Sequence, residues 1–176
     1  MARKKRGGNV GSAAYASGKR FEVALCDSIK YIETMYGAPT FVTRLLDSSS
    51  YGSRRKHNHE SHCDVIAIWH GVTLYIEAKT SVGATSYEMR YIGRGQIDGM
   101  VKSELAGAPS YFIFGKKNKA YEVERAFAVK ASVVATWDGR ASVPWAEIAT
   151  SGFELERYPS VRKNHKERWN LEVLWL

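Results

Sequence analysis

Residues 62–81, HCDVIAIWHGVTLYIEAKTS, set two acids and a lysine, Asp64, Glu77 and Lys79, into otherwise apolar sequence. Two β-branched apolar runs, 62–69 and 72–79, flank His70-Gly71, and a two-residue link containing Gly predicts a β-hairpin. With His70 and Gly71 as the turn, Trp69 faces Val72 and Asp64 falls opposite Glu77. Directly opposed antiparallel residues have Cβ atoms about 4.5–5.5 Å apart, and like charges there destabilise a sheet. Because strand side chains alternate with period two, Lys79 shares the face of Glu77, and His62 is expected opposite Lys79. The acid pair therefore needs a counter-charge. A divalent cation with oxygen ligands provides one, and Lys79 adds another. The plainer alternative is a strand-end salt bridge between Lys79 and one carboxylate, which leaves the second acid unexplained.

The same stretch offers a rival metal site. His57, His59, His62 and Cys63 fall within seven residues. Structural zinc spaces its ligands as two pairs separated by a longer stretch, so this cluster is too crowded. Cys63, next to Asp64 on a strand, is expected to point away from the carboxylates. The histidines read instead as part of a basic loop, with His62 bordering the acids. The literal HNH at 57–59 is three neighbours, unlike the separated residues of the nuclease motif with that name.

The elements that must position the acids follow from pattern. Ser17 is a cap for a helix of about 18–36, with Phe21, Leu25, Ile29, Ile32 and Met35 or Tyr36 at helical spacing and Gly37 and Pro39 as stops. TFVTRLL (40–46) predicts a strand, and the polar, basic 47–61 a long loop of the kind that carries function. Residues 92–107 predict a helix with Ile97, Met100, Val101 and Leu105 on one side, weakened by Gly93, Gly95 and Gly99. SYFIFG and AYEVERAFAV are strands joined by the basic tip Lys116-Lys117-Asn118-Lys119; Pro144 opens a short helix over 142–150, and GFELERY and LEVLWL are short terminal extended segments. The order is α-β-β-β-α-β-β with a short tail: an α/β protein with a mixed central β-sheet flanked by helices.

Composition bounds the class. At 176 residues with 44% hydrophobic content the chain has the size and core of one domain, 16–176, behind a flexible basic arm, 1–15. Two cysteines are too few for a secreted disulfide framework, so a reducing, cytoplasmic setting is expected, nucleoid-associated or in host cytoplasm if viral. No apolar run is long enough for a membrane span, and MARKKRGG has no apolar region behind it to make a signal peptide. The net charge of +8 favours a polyanion, most simply nucleic acid. The charge falls in three clusters: Arg3, Lys4, Lys5, Arg6, Lys19 and Arg20; then Arg54, Arg55 and Lys56; then Arg157, Arg162, Lys163, Lys166 and Arg168, interleaved with Tyr158 and Trp169. Separated clusters suit an extended backbone-contacting surface, although each alone is also what a solvated loop looks like. Trp137, Trp145 and Trp175 are read as core or interface.

CDVIAI followed by YIEAK, with Asp64, Glu77, Ala78 and Lys79, resembles the PD-(D/E)XK nuclease motif, and its surroundings resemble the Holliday junction resolvases of that superfamily. GKRFEVALCDSI (18–29) is similar to their first helix, with Glu22 at the position of the helix-borne acid. TRLLDSSSYGS (43–53) is similar to a strand bearing an arginine, here Arg44, before a Ser/Gly-rich loop in which Ser48, Ser49, Ser50 or Ser53 contributes. GRGQIDGM (93–100) is similar to the helix carrying a glutamine, here Gln96. The archaeal Hjc type is similar over about 16–125; YIEAKTS and GRASVPWAEIATSGFELE (139–156) lie closer to the bacterial RecU type. Cys63, and a loop 47–61 longer and more basic than in compact archaeal members, depart from the pattern.

The resemblance implies a restriction-endonuclease-like fold and Mg2+-dependent cleavage of four-way DNA junctions by a homodimer, with Mn2+ able to substitute and no small-molecule cofactor. Asp64, Glu77, the Ala78 carbonyl and Glu22 would hold metal, Lys79 would stabilise the attacking hydroxide or the transition state, and Gln96 would orient a group beside it. Arg44, Ser48 and the arm and loop cations would contact phosphates. Gln96 as an ordinary polar helix residue and Arg44 as a surface salt bridge stay open. Three other readings also remain: another PD-(D/E)XK endonuclease, a non-catalytic DNA-binding protein on a degenerate nuclease core, and a zinc protein.

Overall fold

Phe21, Leu25, Ile29 and Ile32 line one side of the long helix α1 (Val10–Tyr36) and are buried, as their spacing predicts. The structure, a computed structural model, describes residues 10–45, 61–83, 85–158 and 168–175. The helix starts at Val10, not at about residue 18, and so takes in the end of the expected arm. Ala13, Ala14 and Ala16 are strong helix formers that carry it through. Ser17 is therefore not a cap; it is a buried residue inside the helix.

After α1 come β1 (Thr40–Arg44), β2 (Val65–Trp69) and β3 (Val72–Ser81), then short β4 (Ser86–Glu88), a 3-10 turn over Met89–Tyr91 and α2 (Arg94–Leu105). The chain continues through β5 (Ser110–Lys117), β6 (Val123–Lys130), α3 (Ala131–Ala135), β7 (Ser142–Pro144), α4 (Trp145–Ser151), β8 (Phe153–Leu155) and a 3-10 turn over Glu172–Trp175. Among the described residues one sheet runs β1-β2-β3-β5-β6-β8, and β4 pairs with β7 in a separate two-stranded ladder. In the larger sheet β3 and β5 are parallel and every other pair is antiparallel. This is the mixed α/β sheet flanked by helices that the pattern predicts.

Each face of the sheet has its own core. Val65, Ala67, Leu74, Ile76 and Ile113 pack with α1 on one face, closed by Trp169, Leu171 and Leu174. Phe112, Phe114, Phe127 and Val129 pack on the other with Ile97 and Met100 of α2, Val134 of α3 and Ile148 of α4. Trp137 and Trp145 are buried in this second core, and Trp175 packs partly buried against the first.

Several expectations need correction. Residues 172–175 form a 3-10 turn rather than a strand; Leu171 and Leu174 are both buried, and a repeat of three is the period of that helix. Ser142–Pro144 is a strand, and the helix expected from 142 begins only after Pro144, at Trp145. Leu105 sits at the exposed end of α2 instead of on its packed side. The three-residue strands β4 and β7 and the five-residue α3 are too short to leave a periodic signal.

The β2–β3 hairpin has the expected register, with Trp69 opposite Val72 and Val65 opposite Ile76. Its turn residues both have positive φ, His70 at 49° and Gly71 at 77°, as a type I′ turn requires. Asn adopts this conformation more readily than His. His70→Asn is expected to stabilise the protein by about 0.5 kcal/mol, read as a higher urea midpoint with an unchanged slope.

Candidate active site

β3 carries Glu77 and Lys79 on the face that α2 covers, and the hairpin register brings Asp64 beside them. Asp64 lies one residue before β2, where three hydrogen bonds fix it. Its amide donates to the Ile76 carbonyl (2.9 Å), its carbonyl accepts from the Leu45 amide (2.8 Å), and its Oδ2 accepts from the Ala78 amide (2.8 Å). The carboxylate is thus clamped across the mouth of the hairpin by the strand that holds Glu77.

Glu77 is buried, only 1% exposed. Its Oε1 lies 2.6 Å from Lys79 Nζ and accepts from Gln96 Nε2 at 2.6 Å. Gln96 is held in turn: its Oε1 accepts from Lys79 Nζ (3.0 Å) and from the Gly93 amide (3.1 Å), which caps α2. Glu77, Lys79 and Gln96 therefore close a ring of three mutual contacts, anchored to a helix start. The other Glu77 oxygen, Oε2, is buried with no hydrogen-bond partner. Such an atom is costly to leave unpaired.

Burial pushes the Glu77 carboxyl up to about 8; Lys79 pulls it down and Asp64 pushes it further up. Burial prevails even with an ammonium in contact, because the pocket disfavours a second negative charge beside Asp64. The donors are all oxygen, two of them carboxylates, and one is open. That set fits a hard divalent cation held by Asp64 and Glu77.

Other residues from the sequence reading fall elsewhere. Glu22 pairs with Arg44 Nη1 at 3.5 Å on the α1 side of the sheet. Among the described residues no group of three or more His, Cys, Asp or Glu side chains could share an ion, so Glu22 does not join the acid pair directly. Arg20 is exposed and Lys19 half-buried on α1. Arg3, Lys4, Lys5, Arg6, Ser48, Arg54, Arg55, Lys56, His57 and His59 lie outside the described residues.

Cys63 corrects an expectation. Residues 61–64 precede the strand, so the period-two alternation does not reach them. The Ser61 hydroxyl donates to the Cys63 carbonyl (2.6 Å), and the thiol turns into the α2-side core, toward the acids rather than away from them. Burial, with Glu77 and Asp64 adding, pushes the thiol up to about 12, the opposite of a zinc-binding thiolate. His62 likewise leaves the ladder. It packs on Tyr75 (ring centroids 5.9 Å apart) and against α2, where a Cβ on Gly99 would sit 2.3 Å from its own Cβ. Gly99 is thus a close-approach glycine; its only sequence signal is a Gly in a helix interior.

No protein-family model matches the chain, and no curated protein does. Among solved structures it is similar to Hjc of Archaeoglobus fulgidus, a Holliday junction resolvase from an archaeal hyperthermophile, at 15% identity and a TM-score of 0.46, over 78% of this chain and 95% of that one.

Two outcomes follow. Gly99→Ala is expected to destabilise by about 1–3 kcal/mol through overpacking on His62, checked by denaturant unfolding. In metal-free protein the raised Glu77 carboxyl stays protonated where the unfolded chain has already ionised, so its favourable contribution is full below about 4.5 and is lost as pH rises through about 8. Thermal melts from pH 5 to 9 should fall across that window in wild type and flatten in Glu77→Gln.

Proposed function

We propose that the protein is a divalent-metal-dependent DNA endonuclease that cleaves four-way junctions by phosphodiester hydrolysis. The observation that carries the reading is the buried Glu77 oxygen left without a partner, beside Asp64 and within the Lys79–Gln96 ring. Asp64 and Glu77, with the Ala78 carbonyl, would hold Mg2+, for which Mn2+ can substitute. When bound, the ion acidifies a water and offsets charge on the attacked phosphate. Glu22, tied to Arg44 outside the acid pair, would act through water.

The chain's own residues do the remaining work. Lys79 Nζ holds its protons toward the developing negative charge, and Gln96 fixes that ammonium so that no reorganisation is needed during the reaction. The hydrogen bond from Ala78 keeps Asp64 turned toward Glu77. Arg44, Lys19, Arg20 and the clusters of 1–6 and 54–56 would neutralise backbone phosphates, in keeping with the net charge of +8.

Junction selectivity rests on the likeness of 18–29, 43–53 and 93–100 to the resolvases, and would come from branch geometry more than from base contacts. A C2 homodimer suits a symmetric junction. Phe41 and Ile68, opposed in register and both exposed, offer an apolar patch at the β1 edge for the second copy. No described helix is long and apolar enough to cross a membrane.

The test is cleavage of four-way junction, flap and linear duplex with and without Mg2+. Cutting is expected only with metal and preferentially on the junction; equal cutting of linear duplex would reassign the protein to another nuclease type. Asp64→Asn and Glu77→Gln are each expected to lose at least about a hundredfold in rate while junction binding persists in a gel-shift assay.

A further inference from the structure

Beyond β8 the chain pairs with its own last segment in a short antiparallel ribbon. Arg157 bridges Trp169, the Tyr158 amide donates to the Arg168 carbonyl (3.0 Å), and the Asn170 amide donates to the Glu156 carbonyl (2.8 Å). The ribbon packs on α1: the Trp169 amide donates to Ser28 Oγ (2.8 Å), and the Trp169 ring meets Phe21 edge-on with centroids 6.3 Å apart. Two arginines sit over aromatic rings here. The Arg157 guanidinium carbon lies 4.8 Å from the centroid of Trp169, and that of Arg168 lies 4.3 Å from the centroid of Tyr31 on α1. Tyr158 closes on the same Tyr31 ring, with centroids 5.3 Å apart.

The ribbon concentrates unmet polar capacity. Among the described residues six buried side-chain N or O atoms have no hydrogen-bond partner, and four of them are here: the Tyr158 hydroxyl, Arg168 Nε, Trp169 Nε1 and Asn170 Oδ1. Three of those four can donate, which is capacity for an anion. Arg168 forms no ion pair with a described acid. Glu172, the acid of the last turn, is taken by the Tyr36 hydroxyl and Asn170 Nδ2. The two amino groups of Arg168 are neither among the buried atoms nor bonded to a described residue, so they form the outward end of its guanidinium. Stacking fixes a guanidinium plane and leaves its N–H edge available, and that fork matches a phosphate. A half-buried cation without a counter-charge is an arrangement that an anion relieves. Residues 157–168 hold five Lys or Arg against one acid, which suits a polyanion. The ribbon belongs to the α1-side core, whereas Glu77 and Lys79 face α2, so the phosphate it takes is not the scissile one.

We propose that Arg157 and Arg168, each held on an aromatic ring, form a phosphate clamp that takes the DNA backbone away from the scissile position. The DNA assignment rests on the nuclease reading above; the clamp itself does not. Both are positioning residues and take no part in the chemistry.

The experiment compares full-length wild type with Arg168→Gln, Arg168→Lys and Arg157→Gln. Junction affinity is measured against salt in a gel-shift assay, and the indole N–H signal of Trp169, the ring under Arg157, is followed in 15N-labelled protein during titration with inorganic phosphate. Each Gln variant is expected to lower the slope of log affinity against log salt by about 1 and to weaken binding roughly five- to tenfold at about 0.1 M salt. Arg168→Lys keeps the charge without the planar fork, so it should restore the slope and only part of the affinity. Phosphate should shift the indole signal in wild type and leave it in place in Arg157→Gln. Arg157 is exposed, so its variant reports even if Arg168→Gln unfolds. A purely structural stack gives lower melting temperatures with an unchanged salt slope and no phosphate response in wild type, and that result overturns the proposal. A phosphate response with an unchanged DNA slope overturns the DNA assignment and leaves a free-phosphate site. If wild type cleaves no DNA yet the Gln variants lose both slope and phosphate response, the nuclease reading fails and the clamp stands.

Discussion

One carboxylate organises this molecule. Glu77 stands in the middle of a sheet whose neighbouring positions are apolar, 1% exposed, with one oxygen saturated by Lys79 and Gln96 and the other unbonded. Desolvation opposes its charge more strongly than the adjacent ammonium favours it. A fold built for stability alone would place an apolar residue here, as at Phe112 and Phe114 on the next strand. Keeping a half-satisfied acid at such a point makes sense when a cation completes it.

The elements around Glu77 can be understood as what holds that acid and its neighbours. The hairpin turn at His70-Gly71 sets the register that delivers Asp64, and the Ala78 amide fixes its side chain. α2 is needed because its capped start supplies Gln96, which ties Lys79 and Glu77 into one unit. Gly99 lets that helix approach close enough, against His62, for Gln96 to reach. α1 covers the opposite face, where its Glu22 pairs with Arg44 of β1.

Much of this was legible in the sequence because it depends on local periodicity. Apolar spacing in 21–32 marks α1, and the two β-branched runs around His70-Gly71 mark the hairpin and its register; the ladder ends at Val65–Ile76, and Asp64 bonds the Ile76 carbonyl and the Ala78 amide instead of pairing with Glu77 in it. What was not legible depends on where regular structure stops. Cys63 was expected to face away from the acids, and it faces them because β2 begins two residues later. Ser17 looked like a cap because nothing local shows that a helix will run on through Gly18. Lys117 reads as one residue of a basic tip, and only the packed structure shows it as a largely buried residue at the end of β5. Glu22 was expected at the metal and Arg44 at a phosphate or in a surface salt bridge, and the packed structure shows the two pairing with each other.

The central claim is that Glu77 and Asp64 form a divalent-cation site that exists without DNA. Calorimetric titration of Mg2+ or Mn2+ into the DNA-free protein at pH 7.5, with wild type and Glu77→Gln side by side, tests it most directly. Saturable binding with proton release in wild type, absent in the variant, is the expected result; equal binding by both, or none in wild type, would contradict it.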